Sequence, residues 1–179
     1  MTDGITKAHA RLVIDGTAYE FDHLAPRVVC LQGHGRDGSD IRVRLSFQTH
    51  VYSRACGRSG ADYDFRDEGQ NKRCFCPRRY AQSKDLANLC ETLVETKALT
   101  WVSQDKNRAS NLMAVEGALT NGQHYVIVYY LFVSRVPGID VEMVIKSAYE
   151  KEMDFSRIKR RFNTVQLIKT CYYERKRVP

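Results

Sequence analysis

The alternation of hydrophobic and polar residues divides the chain into strand-like segments on either side of one helical segment. In residues 41–53 the apolar side chains occupy every second position from Ile41 to Phe47, which is typical of a strand with one buried face. In residues 83–96 the apolar side chains instead recur every three or four positions. This spacing predicts an amphipathic helix that begins at Ser83.

Four β-rich segments follow the helix, and short connections join them. They are residues 98–105, 111–119, 124–136 and 141–152. The Asn-Gly pair at 121–122 and the Pro-Gly pair at 137–138 are strong turn signals. Because short connections join antiparallel neighbours, the segments predict a four-stranded antiparallel meander. Its third strand is apolar on both faces, so we expect the helix over one face and the N-terminal strands over the other.

The two ends of the chain complete a mixed architecture. Residues 154–162 predict a short basic helix, and residues 164–176 predict a final strand. The fold class is therefore α+β: an N-terminal β portion, one long helix, a four-stranded antiparallel meander, and a C-terminal basic helix and strand. We divide the chain into residues 1–82, which are β-rich with a long polar loop at 54–72, and residues 83–179, and expect the two parts to form one compact unit.

Composition narrows the class of protein. Hydrophobic residues make up 43% of the 179 residues and charged residues 27%, which is typical of a globular chain with a real core. The longest apolar run has nine residues, at 125–133, whereas a membrane-spanning helix needs about 20. The N-terminus has no basic segment followed by an apolar one, so we expect no secretory signal and a cytoplasmic protein without a membrane partner. No phosphate-binding loop or dinucleotide fingerprint is present, and we expect no cofactor.

The distribution of charge points to an anionic partner. The net charge is +7, and basic residues concentrate at 72–79 and 157–177, on either side of a nearly balanced stretch. Lys and Arg beside aromatic rings suit the phosphates and bases of a single-stranded nucleic acid. The residues that we predict to contact nucleic acid are Arg73, Arg78, Tyr80, Arg157, Lys159, Arg160, Arg161, Tyr173, Arg175 and Lys176.

His50 is a candidate general base. It falls on the polar face of the alternating segment together with two arginines, and neighbouring positive charge lowers the pKa of an imidazole, which suits a base at neutral pH. Arg79 flanks the same surface if residues 41–53 pair as a hairpin with residues 72–77 across the glycine-rich loop.

The end of the last meander strand supplies two hydroxyl groups. Strict alternation places Ser147 on the same face as Ile145, and Tyr149 follows two residues later. A ribonuclease that works without metal needs a base for the 2′-hydroxyl, cations for the phosphorane and an acid for the leaving oxygen. With His50 and Arg79, these two residues complete the candidate catalytic set.

The order of helix and meander, ending in Ser-Ala-Tyr at 147–149, resembles the barnase/EndoU/colicin D/RelE group of small ribonucleases over about residues 83–152. The resemblance implies a metal-independent endoribonuclease of toxin or mobile-element type, with RNA rather than DNA as its partner. It also leaves an inhibitor protein open as a further partner.

Two other functions stay open at this point, so the sequence does not decide whether the chain is an enzyme. One is a non-catalytic accessory or inhibitor protein of phage type that binds nucleic acid or a nucleoprotein. The other is an interaction module stabilised by zinc, because His50, Cys56, Cys74 and Cys76 form a legitimate ligand set. The single residue between the last two cysteines is not typical of a zinc knuckle, and in the cytoplasm we expect reduced thiols.

Overall fold

The computed structural model describes residues 9–57, 63–104, 110–115 and 117–179. Positions 105 and 116, in two predicted strands, and part of the predicted polar loop lie outside the described residues. The strands are β1 Leu12–Ile14, β2 Thr17–Tyr19, β3 Arg27–Leu31, β4 Ile41–Phe47, β5 Ser53–Ala55, β6 Phe65–Arg66, β7 Lys72–Phe75, β8 Leu99–Gln104, β9 Ser110–Val115, β10 Gly122–Val133, β11 Val141–Met153 and β12 Phe162–Asn163. The helices are α1 Pro77–Gln82, α2 Leu86–Glu95 and α3 Thr164–Glu174.

One seven-stranded sheet organises the fold, in the order β12-β8-β9-β10-β11-β4-β3. Its centre, β8 to β11, is the predicted antiparallel meander, and the α+β class is confirmed. The strand predicted from alternation is β4, which pairs in parallel with β11, Phe47 opposite Ile145. Strands from both predicted portions of the chain therefore share one sheet.

A β-bulge in β11 decides which way the Ser-Ala-Tyr segment faces. On β10, Val128 pairs with Ser147 while the next residue, Tyr129, pairs with Ile145, so Lys146 is the extra residue. Before the bulge Ile145 faces the main core, and after it Ala148 does. The expectation that Ser147 shares the face of Ile145 is wrong, because the inserted residue reverses the alternation.

The two faces of the sheet are covered differently. The main core lies between the sheet and helices α2 and α3, as buried Leu86, Leu93 and Ile168 show. A smaller cluster on the other face packs β8 to β11 against the segment after β11, with Trp101 and Phe155 at ring centroids 5.5 Å apart. The helix covers one face as predicted, whereas β3 and β4 extend the sheet instead of covering the other face.

The C-terminal prediction is wrong in both elements. Residues 164–174 form helix α3, not a strand, and residues 154–162 contain only the 3-10 turn Phe155–Arg157 and the start of β12. The side chain of Asn163 caps α3 by accepting hydrogen bonds from the backbone N–H groups of Val165 and Gln166, at 2.9 and 3.3 Å. The β-branched and aromatic residues that indicated a strand belong instead to a helix, one side of which is buried in the main core.

The predicted helix begins earlier than Ser83. Helix α1 starts at Pro77, where a proline fits because the first helical N–H has no partner. The hydroxyl of Ser83 donates a hydrogen bond of 2.8 Å to the carbonyl of Tyr80 and does not cap α2. Among the residues that the structure describes, no helix has the length and apolar character needed to span a membrane.

Candidate functional site

A small three-stranded sheet, in the order β5-β7-β6, builds the framework of the site. The predicted hairpin between residues 41–53 and 72–77 is wrong for the alternating part, because β4 pairs with β3 and β11 in the large sheet. It is β5 that pairs with β7, so that Ser53 lies opposite Phe75. Between β4 and β5 the chain makes a 3-10 turn, Thr49–Val51, that carries His50. The turn packs against β11 beyond Ile145, where β4 has ended.

A disulfide closes this framework. Cys56 and Cys74 are bonded, with Cα atoms 5.2 Å apart, because the pairing of β5 with β7 brings their backbones within disulfide range. The expectation of reduced thiols is therefore wrong for this pair, and the two sulfurs do not act as thiolate ligands beside His50 and Cys76. The described ranges contain no group of three or more His, Cys, Asp or Glu arranged to hold a metal. Such bonds persist in oxidising compartments, and a cytoplasmic location stays a prediction.

Two neighbouring carboxylates fix the turn and its imidazole. Glu68 accepts hydrogen bonds from the backbone N–H and the hydroxyl of Thr49, at 2.7 and 3.0 Å. Asp67 lies 2.8 Å through Oδ2 from His50 Nε2. The Asp67 side chain is 2% exposed and that of His50 27%, so the pair presents only its imidazole to solvent.

The carboxylate of Asp67 is held in its ionised form. Its Oδ1 accepts hydrogen bonds from the backbone N–H groups of Gly69 (2.9 Å) and Asn71 (2.8 Å) and from the Asn71 amide (3.0 Å). Burial acts to raise the pKa of Asp67, but the hydrogen bonds from His50 and Asn71 outweigh it and place the pKa below its usual value. A buried acceptor of this kind orients the imidazole that it contacts.

Burial is the main reason that the pKa of His50 is lowered from 6.5, and the positive charge of Arg73 adds to it. The hydrogen bond to Asp67 opposes the shift without cancelling it. The sequence predicts the same direction for the pKa shift of His50, but the cause is burial rather than the two arginines of β4. A neutral His50 donates its Nε2–H to Asp67, which leaves the lone pair of Nδ1 to accept a proton.

Arg79 connects the turn to the Ser-Ala-Tyr segment of β11, which is not the end of the strand as predicted, because the pairing with β10 continues to Met153. Its Nη1 donates to the carbonyls of His50 (3.1 Å) and Ser53 (2.8 Å), and its guanidinium carbon lies 5.4 Å from the centre of the Tyr149 ring. Helix α1 presents Arg79 there because it starts immediately after β7. Ser147 lies two residues before Tyr149 on the same face of β11. The structure thus brings the turn of His50, Arg79 and the Ser-Ala-Tyr segment to one place.

A cleft of about 250 Å³ opens beside this group. Its lining residues come from α1, β10 and β11: Cys76, Arg78, Arg79, Gln82, Gln123, Tyr149 and Glu150. Arg78 forms an ion pair with Glu150 at the rim, and Gln82 donates to the same carboxylate at 2.8 Å. One wall of the cleft is therefore cationic and aromatic, and the other carries a carboxylate that is already paired.

Two residues predicted to contact nucleic acid have framework roles in the structure. Arg73 is buried, 9% exposed, and its Nε donates to the Ser53 hydroxyl at 3.1 Å. Tyr80 packs among aromatic rings and donates to the carbonyl of Glu20 at 2.8 Å. Arg73 is therefore not a solvent-facing cation, and neither residue is among those that line the cleft.

The C-terminal basic residues lie in two separate places. Arg157, Lys159, Arg160 and Arg161 follow β11 and precede β12, beside Trp101. Tyr173, Arg175 and Lys176 lie at the far end of α3. There the Tyr173 hydroxyl donates to the carbonyl of His34 at 2.8 Å, and Lys176 pairs with Glu174. These two groups are exposed and face different parts of the surface.

The sequence-based reasoning did not identify Asp67 and Glu68. Both stand in the segment Asp-Glu-Gly-Gln-Asn at 67–71, and an Asp followed by Gly and Asn is typical of a tight turn closed by a side-chain carboxylate. The sequence of this segment therefore indicates a turn at 67–71. Only the three-dimensional structure shows that the turn lies against His50.

Comparisons with known proteins place the chain in a family but assign it no activity. No curated protein and no solved structure matches it. A family model described as the YjaZ family matches residues 11–172, a range that contains the His50–Asp67 pair, Arg79 and the Ser-Ala-Tyr segment of β11. The match does not connect the chain to the small ribonucleases, so that resemblance stays a prediction. The extent of the match shows that this chain belongs to the YjaZ family.

Proposed function

We propose that this protein is a metal-independent endoribonuclease that cleaves single-stranded RNA by attack of a ribose 2′-hydroxyl on the adjacent phosphodiester. The observation that carries the proposal is the His50–Asp67 pair, whose turn is fastened by the same Arg79 that lies over Tyr149. A base, a cation and a proton donor are thereby available within one site.

His50 acts as the base. Its lowered pKa keeps the ring neutral at pH 7, and the ionised Asp67 fixes the proton on Nε2. Nδ1 removes the proton of the 2′-hydroxyl while the 2′-oxygen forms a bond to phosphorus. The imidazolium that results is stabilised by the buried carboxylate at 2.8 Å.

Arg79 stabilises the negative charge that develops on the phosphorane oxygens. A guanidinium has five N–H donors, and the contacts to the two carbonyls are made through Nη1 alone. These contacts hold the group in position before substrate binds, so little reorganisation is needed in the reaction.

Tyr149 protonates the leaving oxygen. The bond between phosphorus and the 5′-oxygen breaks, and that oxygen takes the phenolic proton as it departs. The products are a 2′,3′-cyclic phosphate and a 5′-hydroxyl. His50 then returns its proton to the phenolate through solvent, so that protons balance over the cycle. Ser147, on the same face of β11, positions the phosphate by its hydroxyl.

The decisive experiment is a cleavage assay on a single-stranded oligoribonucleotide after treatment with EDTA. We expect cleavage that ends in a cyclic phosphate and is abolished by a 2′-deoxy substitution at the scissile nucleotide. His50→Ala lowers the rate by about 10²–10⁴. Tyr149→Phe, which keeps the ring under Arg79, separates proton donation from packing.

Two results contradict this function. Full activity of both variants removes His50 and Tyr149 from the site. Binding of RNA by the wild-type protein without any cleavage favours the non-catalytic nucleic-acid-binding protein instead. Circular dichroism on each variant shows whether the fold is retained, so that lost activity is not mistaken for unfolding.

A further inference from the structure

A second cavity, of about 390 Å³, lies at the β8–β12 end of the sheet. Its lining residues are Trp101, Val102, Arg157, Ile158, Lys159, Arg160 and Phe162, and we call it the Trp101 pocket. Trp101 is 4% exposed, and Phe162 is half-buried with the Arg160 guanidinium carbon 5.1 Å from its ring centre. Arg161 fastens the basic segment by donating to the carbonyl of Phe155 at 3.1 Å.

The strand register links this pocket to the candidate active site. Ser147 pairs with Val128, Val128 with Met113, and Met113 with Trp101. Paired residues lie on the same face of a sheet, so one straight row crosses four strands from the Ser-Ala-Tyr segment to Trp101. Three strand spacings amount to about 14 Å between the ends of this row. An extended single strand of a few nucleotides covers such a distance along the surface, but not over the row itself, because Met113 and Val128 are buried beneath the segment after β11.

We propose that the Trp101 pocket binds a nucleotide of the single-stranded RNA substrate at a position remote from the scissile bond. This inference rests on the proposed function for the identity of the polymer. The base lies against Phe162 or Val102, and the phosphates contact Lys159 and Arg160.

The chemistry of the pocket favours a single-stranded nucleic acid. Aromatic side chains beside Lys and Arg bind successive bases by stacking and the backbone by charge, with little dependence on sequence. The three cations of the pocket are exposed but differ in their surroundings: Arg157 is paired with Asp154 at 2.9 Å, whereas Arg160 lies over the Phe162 ring.

Trp101 provides the measurement, because it is the only tryptophan in the chain. In a His50→Ala background, which prevents turnover, titration with a single-stranded oligoribonucleotide should change the fluorescence of Trp101. In the same background, Lys159→Ala with Arg160→Ala should weaken binding about tenfold and make the salt slope shallower by roughly 1.4, for two lost phosphate contacts. Phe162→Ala should weaken it between about fivefold and a hundredfold by removing a stacking surface.

The matched control removes two exposed cations elsewhere, Arg11→Ala with Arg36→Ala. If the control and the Lys159/Arg160 variant lose affinity equally, net charge alone explains the loss and the proposal is overturned. Unchanged Trp101 fluorescence at saturating RNA also overturns it, as does a response to anionic vesicles but not to RNA.

Substrate length separates this proposal from the ribonuclease proposal. In a background that retains His50 and is therefore active, Lys159→Ala with Arg160→Ala should lower kcat/KM. The loss should be at least several-fold larger on a long oligoribonucleotide than on a dinucleotide. Equal losses on both substrates overturn the remote position. A change of Trp101 fluorescence without any cleavage supports the pocket and refutes the ribonuclease, whereas cleavage without the change does the reverse.

Discussion

The two basic clusters of this chain look alike in sequence and differ in the structure. In the first, residues 72–79, Arg73 is buried against Ser53, Arg79 is fastened to two backbone carbonyls, and Arg78 is paired with Glu150. In the second, residues 157–177, the part that follows β11 at 157–161 exposes Lys159 and Arg160 beside an aromatic pocket. Net charge is thus a poor guide to which cations meet a ligand.

The difference follows from the elements that carry each cluster. The first lies where β7 turns into α1, against β5 and the turn of His50, so its side chains reach backbone carbonyls and carboxylates of the same framework. The second lies in an irregular connection between β11 and β12, where the side chains of Lys159 and Arg160 are exposed to solvent. We therefore expect the first cluster to affect rate and stability, and the second to affect affinity.

Among substitutions in the two clusters, the largest effect should come from Arg79→Ala, which removes the cation beside Tyr149. We expect kcat on RNA to fall by about 10²–10³, the usual loss when one donor to a developing oxyanion is removed. Arg79→Lys, which keeps the charge but not the two-carbonyl contact, should fall between wild type and alanine. Steady-state kinetics on a labelled oligonucleotide measure kcat and KM for both variants. A change confined to KM would mean that the first cluster, like the second, affects affinity and not rate.

The second-largest effect should come from loss of the disulfide, which should destabilise the small sheet that carries the first cluster. Replacing Cys56 and Cys74 by serine opens a loop with a sequence separation of 18, which should lower the free energy of unfolding by about 3 kcal/mol. Denaturant unfolding in the absence of reductant measures the change. The wild-type protein with added dithiothreitol is the control and should show the same loss. Equal stability of the oxidised and reduced proteins would mean that the bond does not organise this region.

A matched pair of arginine substitutions tests the clusters against each other. Arg73→Ala removes a buried charged hydrogen bond to Ser53 and should reduce the free energy of unfolding by about 1.5–3 kcal/mol. Arg160→Ala removes an exposed cation and should change it by less than about 0.5 kcal/mol. Both values come from chemical denaturation of the purified variants. Similar values for the two would show that burial does not separate the clusters.

The smallest effect is on the pH dependence of cleavage. Since the pKa of His50 lies below 6.5, kcat/KM should be flat near pH 7 and fall only when the imidazole becomes protonated at lower pH. Asp67 raises that pKa, so Asp67→Asn should move the acidic limb to still lower pH while reducing the maximal rate. Lys159→Ala serves as the comparison, with the limb at its wild-type position. An acidic limb above pH 6.5 contradicts His50 as the base.

Much of the central fold could be predicted from periodicity. The alternation at 41–47 and the four segments of the meander correspond to β4 and β8–β11, because a half-buried strand records its buried face in every second residue. The C-terminal helix was misread, because Val165, Ile168 and Cys171 fit a helical stripe as well as an apolar strand. Asn163 was the available signal, since its side chain caps the helix.

The candidate site was less predictable than the fold. His50, Arg79 and Tyr149 were selected by residue type, and the structure places them together through contacts that have no local signature. The bulge at Lys146 turns Ser147 away from the main core, and the sequence of β11 does not indicate that a bulge is present. Such irregularities arise from the pairing of two strands, which neither strand encodes alone.

The sequence by itself determined the meander, the amphipathic helix and the two concentrations of positive charge, because periodicity and composition are local properties of the chain. Only the tertiary structure decided that Asp67 holds His50, that Cys56 bonds Cys74, and that Arg73 is buried while Arg160 is exposed. Each of these depends on which distant segments become neighbours. The free energy of a charge or a thiol is set by those neighbours and not by the residues beside it in the sequence.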